Sequence, residues 1–209
     1  MGGLFHPDSR LVRLMMRITN LVVLNLLWII GCIPVITAGA STTAMYSVLF
    51  AYITEKDDAV LKPFFRAFRE NFRQVTPVWL LHILVAAALG AGVFYMTLGV
   101  KAWVKVIFGI LLFIYLAAAS YCYPLFARFY TTRKAALFNS FALTFRHLLT
   151  SVSMVVFNAL PLALVLIEPA IFWRTILVWT LIGFSLCAYV NAKLAFRVFK
   201  QYENKEEED

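Results

Sequence analysis

The sequence predicts an all-α, polytopic membrane helix bundle with about six spans, the second one short, and two amphipathic helices on the cytoplasmic side. Three observations predict it. Of 209 residues, 62% are apolar or aromatic and 14% are charged, where soluble domains carry roughly 25% charged residues. A single soluble core of this length could not bury so much apolar surface. The apolar residues fall into runs, and the basic residues behind the net charge of +8 lie between those runs. There they set topology and attract anionic lipid headgroups, and no nucleic-acid partner is expected. No Ser-, Gly- or Pro-rich linker divides the chain, so 1–209 reads as one transmembrane domain.

The first span is expected over 18–36, behind Arg10, Arg13 and Arg17. It ends near Ala38-Gly39-Ala40, which imitates a signal-peptide cleavage site. The run is longer than the ~7–15 residues of a signal h-region, so it reads as an uncleaved span. A shorter stretch follows over 40–53. Further spans are expected over 76–98, 106–126, 151–167 and 172–192. A spanning helix needs roughly 20 residues, so the 40–53 stretch decides the topology. If it crosses, the cytoplasmic segments hold three basic residues before the first span, five in 55–75, four in 127–150 and four after 192. That is 16 inside against 3 outside (Lys101, Lys105, Arg174). The best five-span alternative gives 13 against 6. The positive-inside rule therefore favours six spans with both termini cytoplasmic. A re-entrant 40–53 element stays open as an alternative.

Two cytoplasmic segments are patterned. Over 57–75, Asp57 or Asp58 can cap a helix and Pro63 suits its first turn. At ~100° per residue, Leu61, Phe65, Phe68 and Phe72 share a face, with Lys62, Arg66, Arg69 and Arg73 as a basic ridge beside it. Over 132–149, Phe138, Phe141 and Phe145 again share a face, next to Arg146. Both segments suit a helix lying in the headgroup layer or touching a partner. Leu49-Phe50-Ala51 precedes the first and Leu125-Phe126-Ala127 the second, and a span follows each. Span, amphipathic helix and span thus occur twice, as a weak parallel repeat. Residues 193–209 read as a charged cytoplasmic tail.

Chemistry-bearing motifs are scarce. The sequence has no Walker A loop, GxSxG, HExxH or Asp-rich metal box, so no enzyme, cofactor or metal site is expected. Cys32, Cys122 and Cys187 lie in apolar runs without metal-ligand spacing, as small buried hydrophobes do. His6 and His147 fall in cytoplasmic segments. His82 lies inside a span, where it reads as a proton or ligand site or as a neutral histidine bonded to another helix. Asn25, Asn158 and Asn191, with Asn20 near the inner end, suit bonds between helices.

The most distinctive segment runs from Gly31 to Thr43. Pro34 should end the first helix, Gly39 permits a tight turn, and Ser41 or Thr42 can cap the next helix. Two readings stand. Either this is a hairpin whose polar groups satisfy one another, or Pro34, Thr37, Gly39, Ser41, Thr42 and Thr43, with His82, hold a ligand at a helix N-terminus.

The run Gly-x-x-Pro-x-x-Thr-x-Gly-Ala-Ser-Thr-Thr-Ala (31–44), followed by Lys-Pro-Phe-Phe-Arg-Ala-Phe-Arg-Glu-Asn-Phe-Arg-Gln (62–74), resembles the YesL family of bacterial integral membrane proteins. That family has no defined molecular activity, and its members are often associated with carbohydrate uptake by ABC transporters. The resemblance implies a bacterial cytoplasmic membrane, a sugar-uptake context and ABC transporter membrane subunits as partners. It supplies no catalytic residues. The expected function is thus a non-enzymatic accessory or regulatory membrane protein. The alternative is a small transporter or channel using the Pro34–Thr43 break.

Overall fold

A computed structural model describes residues 10–55, 59–96, 99 and 101–206. Asp57 and Asp58, the expected caps, and His6 lie outside them. The chain runs α1 (Arg10–Cys32), a 3-10 turn (Val35–Thr37), α2 (Ala38–Ile53), α3 (Leu61–Met96), α4 (Ala102–Arg128), α5 (Arg133–Arg146), α6 (Leu148–Ile167), α7 (Pro169–Arg174), α8 (Ile176–Val178), a π-helical segment (Trp179–Gly183) and α9 (Phe184–Glu206). Among the described residues, six helical stretches are long and apolar enough to cross a membrane, including Val35–Ile53. They mark a multi-pass membrane protein.

α2 is the centre of the bundle. Ten of its residues are buried, from Gly39 to Phe50, and it packs against α1, α3, α4 and α9. Close approach is possible because two facing positions lack a Cβ. A Cβ on Gly31 would lie 2.6 Å from Ser41 Oγ, and one on Gly39 would lie 2.5 Å from Trp79 Cβ.

The amphipathic segment at 57–75 is not a separate element: its described part is the start of the 36-residue α3. Nothing between Leu61 and Thr76 breaks a helix, and Pro77 is absorbed. Pro77 has no N–H for the carbonyl of Arg73, four residues back. The Arg133 guanidinium supplies the missing donor, with Nη2 bonding Arg73 O at 2.8 Å and Nε bonding Gln74 O at 3.1 Å. In the second copy the helix does break. His147 (φ −129°, ψ 56°) separates α5 from α6, and Thr132 Oγ1 caps α5 by accepting from Ala135 N.

Within the segment expected as a charged tail, residues 193–206 are helical and continue α9. Ala192, Ala195, Val198 and Phe199 are buried, while Lys193 and Lys200 are exposed on the other face. Spacing of three and four residues carries the apolar stripe straight through the charges. Phe199 packs on Phe50 and Phe129. Arg128 lies 4.7 Å over the Phe196 ring and forms a two-pronged pair with Glu203 at 2.8 and 2.9 Å.

The π segment is held by α1. A π turn leaves carbonyls without their usual partners. Asn25, fully buried, donates to Trp179 O (3.0 Å) and Thr180 O (2.6 Å), and its Oδ1 accepts from Ser185 N (2.7 Å). Ser185 Oγ returns a bond to Leu21 O. The sequence reading of Asn25 as an interhelical bond holds, with the backbone of the last span as its partner.

Candidate functional site

The Pro34–Thr43 segment folds as a tight hairpin. Pro34 is extended (φ −76°, ψ 110°) and ends α1. Thr37 Oγ1 donates to Gly31 O and Pro34 O, and the indole of Trp79 donates to Val35 O at 2.6 Å. α2 begins at Ala38, ahead of Ser41 and Thr42, so neither caps it. The 3-10 turn winds directly into the helix, which leaves those side chains one turn inside. Ser41 Oγ donates to Trp28 O across the hairpin. Thr42 and Thr43 donate to the carbonyls of Ala38 and Gly39, four residues back. Thr42 Oγ1 also accepts from the Trp28 indole at 3.1 Å. The segment's hydroxyls therefore satisfy the hairpin itself. Of the six hairpin candidates, Thr42 alone lines a cavity among those described.

That cavity, about 280 Å³, lies between α2, α4 and α6. It is lined by Thr42, Tyr46, Ser120, Tyr123 and Asn158, with apolar walls from Leu116, Ala119, Val155, Ala159 and Leu162. His82 reaches its edge indirectly. Its Nδ1 is 2.8 Å from the Tyr123 hydroxyl, and Tyr115 donates to the His82 carbonyl. On the far side, Asn191 Nδ2 donates to Asn158 Oδ1 (2.7 Å), and Asn158 Nδ2 donates to Ser120 Oγ (2.8 Å). Thus Thr42 lines the cavity directly, and His82, forty residues on, meets it only through Tyr123. The sequence reading missed Tyr46 and Tyr123. The one available signal was their alignment with Thr42 and Ser120 at helical spacing on α2 and α4.

The cytoplasmic candidates divide differently. On α3, Phe64 and Ala67 are buried, while Leu61 and Phe65, on the aromatic face, are more than half exposed and Phe68 packs partly on the core. The Phe68 and Phe72 rings lie 5.9 Å apart, tilted by 42°. Lys62, Arg66, Arg69 and Arg73 are all exposed. α5 buries Ala136, Ser140, Leu143 and Thr144. Its Phe138 (75% exposed), Phe141 (44%) and Phe145 (58%) face outward, with Arg146 beside them. A crevice of about 400 Å³ separates the α2–α3 pair from the end of α4, with Arg66, Glu70, Gln74 and Arg128 among its lining. Gln74 also bonds the carbonyl of Thr131. At the end of α5, His147 Nε2 lies 3.0 Å from the Tyr202 hydroxyl. Burial, and then the neighbouring Arg146 charge, lowers the His147 pKa from its ordinary value.

No group of three or more metal-ligating side chains occurs among the described residues. No curated protein and no solved structure matches the chain. Residues 21–93, which hold the α1–α2 hairpin and most of α3, match the family described as Protein of unknown function, DUF624.

Proposed function

We propose that the chain is a non-enzymatic accessory protein of the bacterial cytoplasmic membrane that docks onto a transport system through its cytoplasmic face. One observation carries this reading. α5 is anchored on its small-residue side and holds Phe138, Phe141 and Phe145 outward, on the side of the bundle that also bears the α3 ridge of Lys62, Arg66, Arg69 and Arg73. Exposed aromatics flanked by arginine are the composition of protein-binding surfaces. The resemblance to the YesL family supports the membrane subunits of a carbohydrate ABC transporter as the partner.

The rival reading, a small transporter working at Pro34–Thr43, finds less support. The hairpin's hydroxyls are bonded within it. Phe50, Phe129, Phe196 and Phe199 pack in a layer at the cytoplasmic end of the bundle.

The test is affinity capture of the tagged full-length chain from native membranes in mild detergent. Wild type should bring down transporter membrane subunits. The triple variant Phe138→Ser, Phe141→Ser, Phe145→Ser should lose them at unchanged membrane abundance. Solute flux in liposomes containing this chain alone would overturn the reading in favour of the transporter.

A further inference from the structure

We infer that the cavity between α2, α4 and α6 binds a neutral membrane lipid that carries a hydroxyl or carbonyl group. The inference is independent of the docking reading.

The lining decides the ligand's chemistry. Its polar groups are the side chains of Thr42, Tyr46, Ser120, Tyr123 and Asn158, and no lining residue is ionisable in the physiological range. The cavity lies within the candidate spans. A phosphate, carboxylate or ammonium group there would lack a counter-charge in a low-dielectric medium. The ligand is therefore uncharged.

The polar groups are nevertheless placed. Asn158 is fixed by two bonds, accepting from Asn191 and donating to Ser120. That leaves its second N–H available. Tyr123 shares one proton with His82 Nδ1, which leaves its hydroxyl a further bonding role whichever tautomer is present. A hydroxyl or carbonyl group can use these sites, and a pure hydrocarbon cannot.

The walls decide the rest. Ala119 on α4 and Ala159 on α6 are small, which opens the gap between these helices. Leu116 and Leu162 stand at the gap and are exposed on the outer surface of the bundle. The opening thus faces acyl chains. Toward the cytoplasm lies the aromatic layer around Phe50 and Phe199. The ligand enters sideways from the bilayer, with an apolar body that stays among the tails. A cavity of about 280 Å³ admits a polar linkage and the first part of a chain, and leaves the remainder in lipid.

The test uses the full-length protein in phosphatidylcholine nanodiscs. A diazirine-bearing diacylglycerol is photo-crosslinked, the protein digested, and the labelled peptides mapped by mass spectrometry. A diazirine-bearing phosphatidylcholine serves as the bulk-lipid control. The diacylglycerol probe should concentrate on residues 116–123 and 155–162. Unlabelled diacylglycerol should compete, and an isoprenoid alcohol forms a second competition arm that separates glyceride from prenol ligands. Tyr123→Phe removes the hydroxyl that His82 holds in place and should weaken competition about fivefold, the equivalent of one hydrogen bond. Ala159→Trp fills the gap and should abolish the local enrichment. Should that variant fail to fold, Tyr123→Phe still reports. Equal labelling of these peptides by both probes, or labelling indifferent to competitor and to Tyr123→Phe, would show bulk lipid only and overturn the proposal.

Discussion

In α3, Phe64, Ala67, Val75, Val78 and His82 are buried, and no described residue beyond His82 is. In α4 the buried run begins only at Ala117, and in α6 it ends at Met154. The half of the bundle that bears the α3 basic ridge is thus a packed core with α2 at its centre, and the other half is a set of arms. The two halves hold the same kinds of apolar residue. What differs is burial and hydrogen bonding. The half with the basic ridge has the Asn25 latch, the Ser41–Trp28 bond and the Arg128–Glu203 pair, while close glycine contacts occur in both halves, Gly92 lying against Phe108 as Gly39 lies against Trp79. Lipid tails compete on equal terms with a leucine face, so apolar character alone does not pull helices together in a membrane. Close packing and buried polar bonds do, and this chain concentrates them at one end.

The register of the hairpins shows the same division. Gly39 sits on Val75 and Trp79, and Val35 accepts a bond from Trp79. Trp79 is only six residues past the exposed Arg73, or ~9 Å along a helix, whereas Met96 is ~35 Å past it. The α1–α2 tip exposes Ile33, Val35 and Ile36. If the basic ridge marks the inner surface of the bilayer, α3 beyond it has the length to cross a ~30 Å hydrocarbon layer, while a hairpin tip seated beside Trp79 would lie partway.

The largest expected effect is at Asn25. Asn25→Leu should strand two carbonyls and one amide at the π segment. It should cost about 3–5 kcal/mol, seen as a steep fall in the melting temperature of detergent-purified protein. A shift of only a degree or two would detach the latch from the core. Next is a pair of identical changes in opposite halves. Gly39→Ala drives a Cβ to 2.5 Å from Trp79 and should destabilise by about 1–3 kcal/mol. Gly90→Ala meets nothing within 4 Å and should be neutral or stabilising, by up to about 1 kcal/mol. Equal effects would erase the contrast between the halves.

A smaller effect is expected at Arg133. Arg133→Leu should cost about 1 kcal/mol by removing the donors for Arg73 O and Gln74 O. With Pro77→Ala in place the helix supplies its own N–H to Arg73 O, and the same change should cost less. A double-mutant cycle with no coupling would refute the compensation. The smallest effect concerns His147. Its folded pKa lies below the ordinary value near 6.5, so the folded state disfavours the charged ring. The stability present above about pH 6.5 should decline as pH falls through the unfolded value. His147→Gln should flatten that dependence in melting curves recorded between pH 7.5 and 5.5.

The fold class and the apolar stretches were legible because hydropathy and helix length are local properties. Pro34 and the Phe-rich segments were legible for the same reason. Less local features were not. Whether 57–75 forms its own helix depended on Pro77, and its tolerance depends on Arg133, 56 residues away. Lys193, Arg197 and Lys200 made 193–209 look like a tail, because charge was more visible than the Ala195–Phe199 stripe between them. For the site, Thr42 and His82 could be named from their residue types, but the cavity that Thr42 lines and that His82 meets through Tyr123 is formed with a third helix. Asn25 showed itself as an interhelical donor, while the π segment it serves left no mark in Trp179–Gly183.

The division between the halves is tested most directly at the hairpin tip. In a cysteine-free background, single cysteines are placed at positions 35 and 99 in intact cells and exposed to a membrane-impermeant thiol reagent. The account predicts rapid labelling at 99 from outside and none at 35 from outside or, in inverted vesicles, from inside. Labelling at 35 from outside as fast as at 99 would contradict it, because the α1–α2 hairpin would then cross the whole bilayer.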